Sequence, residues 1–206
     1  AALLVYAVAH LVGRPTLYSL LLTGVAVGSM STAGVTLILV ICGQHRIQEL
    51  LFWLVGGVRS QTWEHVWLAA PAITIGVLGL VSLHRPLDAL LLGEEQALAV
   101  GVPVVRTRLL VLVLTALAIG AATAVSGTIG FVGLMVPHLV RRWSGPQSLR
   151  LLPACVAGGA AFLTACDLLS RGVSEWFPLH LGVLTAFLGG PAFVLILLRT
   201  RMARPG

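Results

Sequence analysis

Residues 106–142 read RTRLLVLVLTALAIGAATAVSGTIGFVGLMVPHLVRR, and the fold turns on how often this stretch crosses a bilayer. Its apolar part, 109–140, is 32 residues long and carries no Asp, Glu or Arg. Arg106 and Arg108 precede it, and Arg141 and Arg142 follow it. A transmembrane helix uses about 20 apolar residues, so one crossing leaves a surplus and two full crossings need about 40. One crossing would also put one basic pair outside, against the tendency of arginines to stay on the cytoplasmic side. Two crossings keep both pairs inside. The expectation is one normal helix followed by a short or broken one, with the break near Ser126-Gly127. Irregular backbone at that depth is tolerated only where protein or a water-filled path surrounds it.

The rest of the chain has the same character. Of its 206 residues 58% are hydrophobic, 10% are charged, and the mean hydropathy is +1.00. Soluble domains carry about 25% charged residues, so the composition argues against an ordinary water-soluble enzyme. All 13 basic residues are arginines. Without a lysine there is no Walker A nucleotide site and no Schiff-base chemistry in this sequence. The net charge of +6 would suggest a nucleic-acid partner in a soluble protein. Here the arginines sit between apolar runs, which argues for a bilayer and against nucleic acid. Cys42, Cys155 and Cys166 have no ligand spacing and read as small core residues.

Further uncharged or nearly uncharged runs cover 17–42, 66–83, 151–170 (apart from Asp167) and 176–198. The opening run, 1–10, has no basic leader before it, and nine residues rise only about 14 Å as a helix, half a hydrocarbon core. It reads as the tail of a span that begins earlier. The chain is therefore expected to be a fragment: one membrane domain, 1–206, holding the end of one span and about six more. Alternating the crossings puts ten arginines inside (14, 85, 106, 108, 141, 142, 150, 199, 201, 204) and three outside (46, 59, 171). That bias sets the orientation, with a cytoplasmic C-terminus. The fold class is all-α, a polytopic transmembrane helical bundle. Trp53, Trp63 and Trp67 suit an outer interfacial belt, and 47–58, too short to span, should lie along the outer surface or dip in.

Several local patterns carry chemistry. Segment 84–108 holds Asp88, Glu94 and Glu95, and Gly93 and Gly101 bracket a short helix of about two turns. It is either a docking surface for a soluble partner or a solvated loop. Gly24 and Gly28 have the spacing of close helix packing. Gly189-Gly190-Pro191 should break or kink the last helix. Asp167 and Arg171, four apart, share a helix face and should pair. His138 has no second ligand at i+4 and the other histidines are scattered, so no metal site is expected.

Two of these segments resemble the signatures of one family, the FecCD-type permeases of ABC importers for iron-siderophores, haem and cobalamin. Residues 87–102, LDALLLGEEQALAVGV, are close to that family's L-[ND]-x-L-x-L-G-E-x-x-A-x-x-L-G-V. Residues 127–138, GTIGFVGLMVPH, match G-x-I-G-F-V-G-L-x-x-P-H at every defined position: Gly127, Gly130, Phe131, Gly133, Pro137 and His138 among them. Leu151-Leu152-Pro153, Asp167 with Arg171, and 182–186 leading to Gly189-Gly190-Pro191 add to the likeness, which covers essentially the whole chain.

The resemblance implies a type II-like importer permease of a bacterial cytoplasmic membrane, itself not an enzyme and binding no cofactor, with ATP bound by a partner ATPase. Gly93, Glu94, Glu95, Ala97 and Gly101 would sit in a cleft of that ATPase. A second permease subunit would complete the pathway, which 17–42 with Gly24 and Gly28 would help to line. Arg171 would meet an acidic residue of an extracytoplasmic binding protein, or with Asp167 form a structural pair closing its helix. Pro137-His138 would end the short helix. The family tends to carry E-[LI]-P-[VI]-G before the last helix, whereas this chain has Pro178-Leu179-His180-Leu181-Gly182, with Glu175 further upstream. The rival reading is an ion- or proton-coupled carrier, for which Asp167 would be the one intramembrane acid.

Overall fold

The computed structural model describes residues 17–41, 53–58, 61–173 and 181–202, without the side chains of 17–21, 39, 193–197 and 199–202. Eight helices are described: α1 (Leu17–Ile41), α2 (Trp63–Ser82), α3 (His84–Leu90), α4 (Glu94–Ala99), α5 (Val104–Ser126), α6 (Val132–Ser144), α7 (Ser148–Val173) and α8 (Leu181–Met202). No strand occurs among the described residues. The reading of 1–10 as a helix tail, Cys42, and the turn 174–180 with its departure from the family pattern lie outside them.

The bundle is built inside out relative to a soluble protein. Leu68, Leu78, Val105, Ile119 and Phe187 are exposed, while the buried apolar set is short and includes the small residues Ala69, Ala97 and Cys166. In water such apolar surface would be an aggregation hazard; against lipid chains it is the required exterior. Among the described residues three helices, α2, α5 and α7, are long and apolar enough to cross a membrane. With no hydrophobic drive between helices in lipid, contact depends on small residues that let backbones approach. Accordingly α2 packs most extensively on α5. A Cβ on Gly76 would stand 2.7 Å from Ala118 Cβ, and one on Gly79 would meet Leu114. The next pair, α6 on α7, closes at Gly158, beside Val136 and Val140. Helix α8 lies against both α6 and α7.

Connectivity sorts the charge. Helices α3 and α4 join the end of α2 to the start of α5, and α3 also packs on α7. Arg85, Arg106, Arg108, Arg141, Arg142 and Arg150 therefore gather at one end of the bundle with Asp88, Glu94 and Glu95, and Arg171 lies at the other.

The stretch 109–140 divides into a long and a short helix, and the break falls where the sequence places it. Helix α5 runs 23 residues to Ser126, Gly127 turns at φ 70°, and Phe131 at φ 64° starts α6. Helix α5 alone rises about 35 Å, whereas the 13 residues of α6 rise only about 20 Å. The loop between them makes up the difference. Gly127 lies by Gly56, which bonds to the first turn of α8 at Gly182, whereas Phe131 lies against Gly189. Seven residues along α8 are about 10 Å of depth. Loop and α6 together therefore cover about 30 Å, one hydrocarbon core.

Two expectations are corrected. Pro137 does not end α6, which continues to Ser144 with the proline at its sixth position. The ring removes one backbone donor, and the neighbouring turns carry the helix on. Nor do Gly189-Gly190-Pro191 break α8, which stays helical from Leu181 to Met202 with Pro191 inside it; Gly189 makes room for the Phe131 ring, since a Cβ there would stand 2.4 Å from Phe131 Cβ.

Candidate functional site

At the charged end, Gly93 and Gly101 do bracket a helix. Gly93 has φ 117°, Gly101 has φ 80°, and α4 between them is six residues long. Its end is a Schellman motif: the Val102 N–H donates to the Ala97 carbonyl at 2.9 Å and the Gly101 N–H to Leu98 at 2.9 Å. Only glycine takes the positive φ cheaply at that position. Ala97 is completely buried, so α4 is pinned by one face. Its other faces are open: Glu94, Glu95, Leu98 and Val100 are exposed, as are Leu91 and Leu92 just before it.

Two polar links tie this loop to the long helices. Glu94 pairs with Arg108 in the first part of α5. Asp88 on α3 accepts the Ser148 N–H at 2.8 Å, so it supplies a partner for an otherwise unpaired donor at the start of α7. The hydroxyl and N–H of Ser148, and then the charge of nearby His84, hold the Asp88 carboxyl below its ordinary value. Sequence reading counted Asp88 as one loop acid among three. The cue to its partner was the Gly145-Pro146-Gln147 punctuation, which marks Ser148 as a helix start.

At the opposite end three backbones meet. The last carbonyls of α5 have no helical N–H to accept from, and Trp53, Gly57 and Gln61 supply donors for them. Trp53 Nε1–H donates to Ala124 at 3.4 Å, Gln61 Nε2 to Val125 at 2.7 Å, and the Gly57 N–H to Ser126 at 2.8 Å. Thr128 Oγ1 returns a bond to the Leu54 carbonyl, and the Gly182 N–H reaches Gly56 at 3.3 Å. Such approach needs glycine on each strand of the junction. A Cβ on Gly182 would stand 1.8 Å from the Val55 oxygen, and one on Gly127 2.1 Å from the Trp53 oxygen. Segment 53–58 thus dips in. Trp63 and Trp67 are exposed as a belt requires, whereas Trp53 is only marginally exposed and spends its indole N–H on α5.

Asp167 and Arg171 are paired at 2.7 Å, with the arginine half exposed and the carboxylate mostly covered. Gly130 and Gly133 stand clear of neighbours on either side of Phe131, and His138 is exposed on α6. On α1, Gly24 and Gly28 have nothing within 4 Å of a would-be Cβ, so their spacing packs against no described residue. Beside them Ser29, Thr32 and Thr36 return their hydroxyls to carbonyls four residues back, at 2.9, 3.0 and 2.9 Å.

A family model described as the FecCD transport family matches residues 1–199. The chain belongs to this family. Among FecCD relatives, the cobalamin import system permease protein BtuC of Halobacterium salinarum is 40% identical over 204 residues, 99% of this chain and 54% of the relative. The hemin transport system permease protein HmuU of Yersinia pestis is 38% identical, covering 94% of this chain and 58% of its own. The ABC transporter permease protein YvrB of Bacillus subtilis is 39% identical, covering 88% and 51%. The chain thus spans a little over half the length of the curated relatives it matches. A solved ABC transporter assigned to the metal-chelate type, in an inward-facing conformation, superposes with a TM-score of 0.85 at 30% identity, covering 94% of this chain and 63% of that one. The all-α permease fold follows from this match.

Proposed function

We propose that residues 1–206 are part of a permease subunit of an ABC importer that moves iron-siderophore, haem or cobalamin-like chelates across a bacterial cytoplasmic membrane. They form one multi-pass domain, the end of one span and about six more. Transport is by alternating access and is driven by ATP bound and hydrolysed in a partner ATPase; this chain catalyses nothing and binds no cofactor. A second permease subunit completes the pathway, which the glycine and hydroxyl face of α1 helps to line. An extracytoplasmic binding protein docks near Arg171, whose pair with Asp167 fixes its direction.

One observation carries the reading: the loop 84–103 is anchored on its inner side and presents acids and apolar side chains together on its outer side. Ala97 is buried, Asp88 and Glu94 are tied back to α7 and α5, and Leu91, Leu92, Leu98 and Val100 face out. A loop meant only for solvent has no use for four exposed aliphatics. Anchorage through Gly93, Ala97 and Gly101 lets force on Glu94, Glu95 and Leu98 reach the long helices. Leu98→Glu and Glu94→Arg in the full-length permease test it. Both should insert in the membrane yet lose co-purification with the ATPase and ATP-driven uptake into vesicles. Normal coupling in both variants overturns the docking surface, and uptake on a proton gradient without the ATPase overturns the energy source.

A further inference from the structure

We infer that the end of α6 is a binding site for the phosphate of an anionic phospholipid headgroup. Helix α6 turns Val136 and Val140 to Gly158 of α7, where a Cβ would meet them at 3.3 and 2.9 Å. At 3.6 residues per turn, that contact carries His138, Arg141 and Arg142 onto an arc facing away from α7. All three are exposed. On the adjoining strip Leu139 and Trp143 stand one turn apart, both exposed, Trp143 to 93%. Arg150, also exposed, follows in the first turn of α7 after the short 145–147 connection.

Charge decides the class of ligand. Among the described residues neither Arg141 nor Arg142 pairs with a carboxylate; of the acids at this end Asp88 bonds Ser148, Glu94 pairs with Arg108, and Glu95 is exposed on α4. Two exposed guanidiniums with no carboxylate partner are available to an anion, and their planar forks suit phosphate oxygens. A bare tryptophan beside them places that anion at the bilayer surface, where indoles sit at headgroup level and basic clusters attract acidic lipids. The occupant is therefore a phospholipid, with its phosphate on the arginines and its glycerol and upper chain against Trp143 and Leu139. This goes beyond the transport reading and does not depend on it.

The experiment measures phosphatidylglycerol retained by the full-length permease in detergent, by native mass spectrometry, with phosphatidylcholine as reference. The wild type should hold phosphatidylglycerol selectively, and Arg141→Gln with Arg142→Gln should weaken retention on the order of tenfold. Arg106→Gln, exposed at the same end but off this arc, should leave it unchanged. Should the double variant not survive purification, the wild type alone decides: retention should fall steeply as salt is raised from about 0.1 M to 1 M. Equal retention in the double variant, salt-independent retention, or equal competition by inorganic phosphate alone overturns the inference. So does a double variant that keeps its lipid and loses the ATPase, because the arc then belongs to a protein interface.

Discussion

Removing the Asp88 carboxylate should loosen the first turn of α7 and leave the far end of the bundle unchanged. Ser148 is buried, so water is a poor replacement for the 2.8 Å acceptor that Asp88 offers its N–H. Loss of a side-chain acceptor at a helix start costs about 0.5–2 kcal/mol. The negative charge near the helix N-terminus accounts for about 0.3–1 kcal/mol. Asp88→Ala forfeits both; Asp88→Asn keeps an oxygen and forfeits the charge. At about 1.4 kcal/mol per factor of ten, exchange of the Ser148 amide should speed about 4- to 140-fold in Asp88→Ala and about 2- to 5-fold in Asp88→Asn. Hydrogen–deuterium exchange over peptides spanning 147–152 reads this, with 62–70 as internal reference. The pH dependence has a definite sign. Because the folded pKa is depressed, the contribution is complete above the unfolded value of about 3.9 and is lost as pH falls through the lower folded value. Wild type and Asp88→Asn should therefore differ by a constant factor at neutral and mildly acidic pH and converge only on strong acidification, where the protonated carboxyl keeps its oxygen and has lost its charge. Unchanged exchange over 147–152 in Asp88→Ala refutes the link.

The remaining predictions concern the opposite end. Gly182→Ala must push Val55 away and should destabilise by about 1–3 kcal/mol, whereas Gly24→Ala, in open space, should stay within about 0.5 kcal/mol; thermal melts of the full-length protein compare them. Gln61→Leu strips the donor from the Val125 carbonyl and should cost about 1–3 kcal/mol in the same melts, more than a surface glutamine would. Asp167→Asn should change stability by less than about 1 kcal/mol, as a partly exposed i,i+4 pair does; a loss of several kcal/mol would mean the carboxylate has a larger structural part.

Much of this architecture was legible because membrane constraints act on composition and spacing. The uncharged run 109–140 was too long for one crossing and too short for two, and the glycine that allows φ 70° stood at the one place where the surplus could be taken up. The Asp167–Arg171 pair followed from helical spacing alone. What stayed hidden depends on contacts between distant segments. Nothing in Gln61 or Trp53 marks them as donors to α5, because the need they meet belongs to a helix more than sixty residues away. Pro137 misled for a related reason: a proline in a 13-residue helix looks like a stop when its neighbours are unknown.

The two ends of the bundle are held by different chemistry, and this constrains how the chain can rearrange. At the charged end the links are side-chain contacts, Glu94 with Arg108 and Asp88 with Ser148, and Glu94 and Arg108 are at least partly exposed. Exposed ion pairs can part and exchange for water at about 1 kcal/mol or less. At the far end the links are backbone contacts around Gly56, Gly127 and Gly182 beside a break in a spanning helix. Separating Trp53, Gly57 and Gln61 from α5 would leave the carbonyls of Ala124, Val125 and Ser126 without these donors, at several kcal/mol for each group left unsatisfied within a bilayer. The inexpensive motions are therefore at the α3–α4 end, while residues 53–58 and Gln61, the end of α5 and the start of α8 are held together. That is the mechanical arrangement a loop needs if it is to be pushed from outside and still leave a broken helix sealed against lipid.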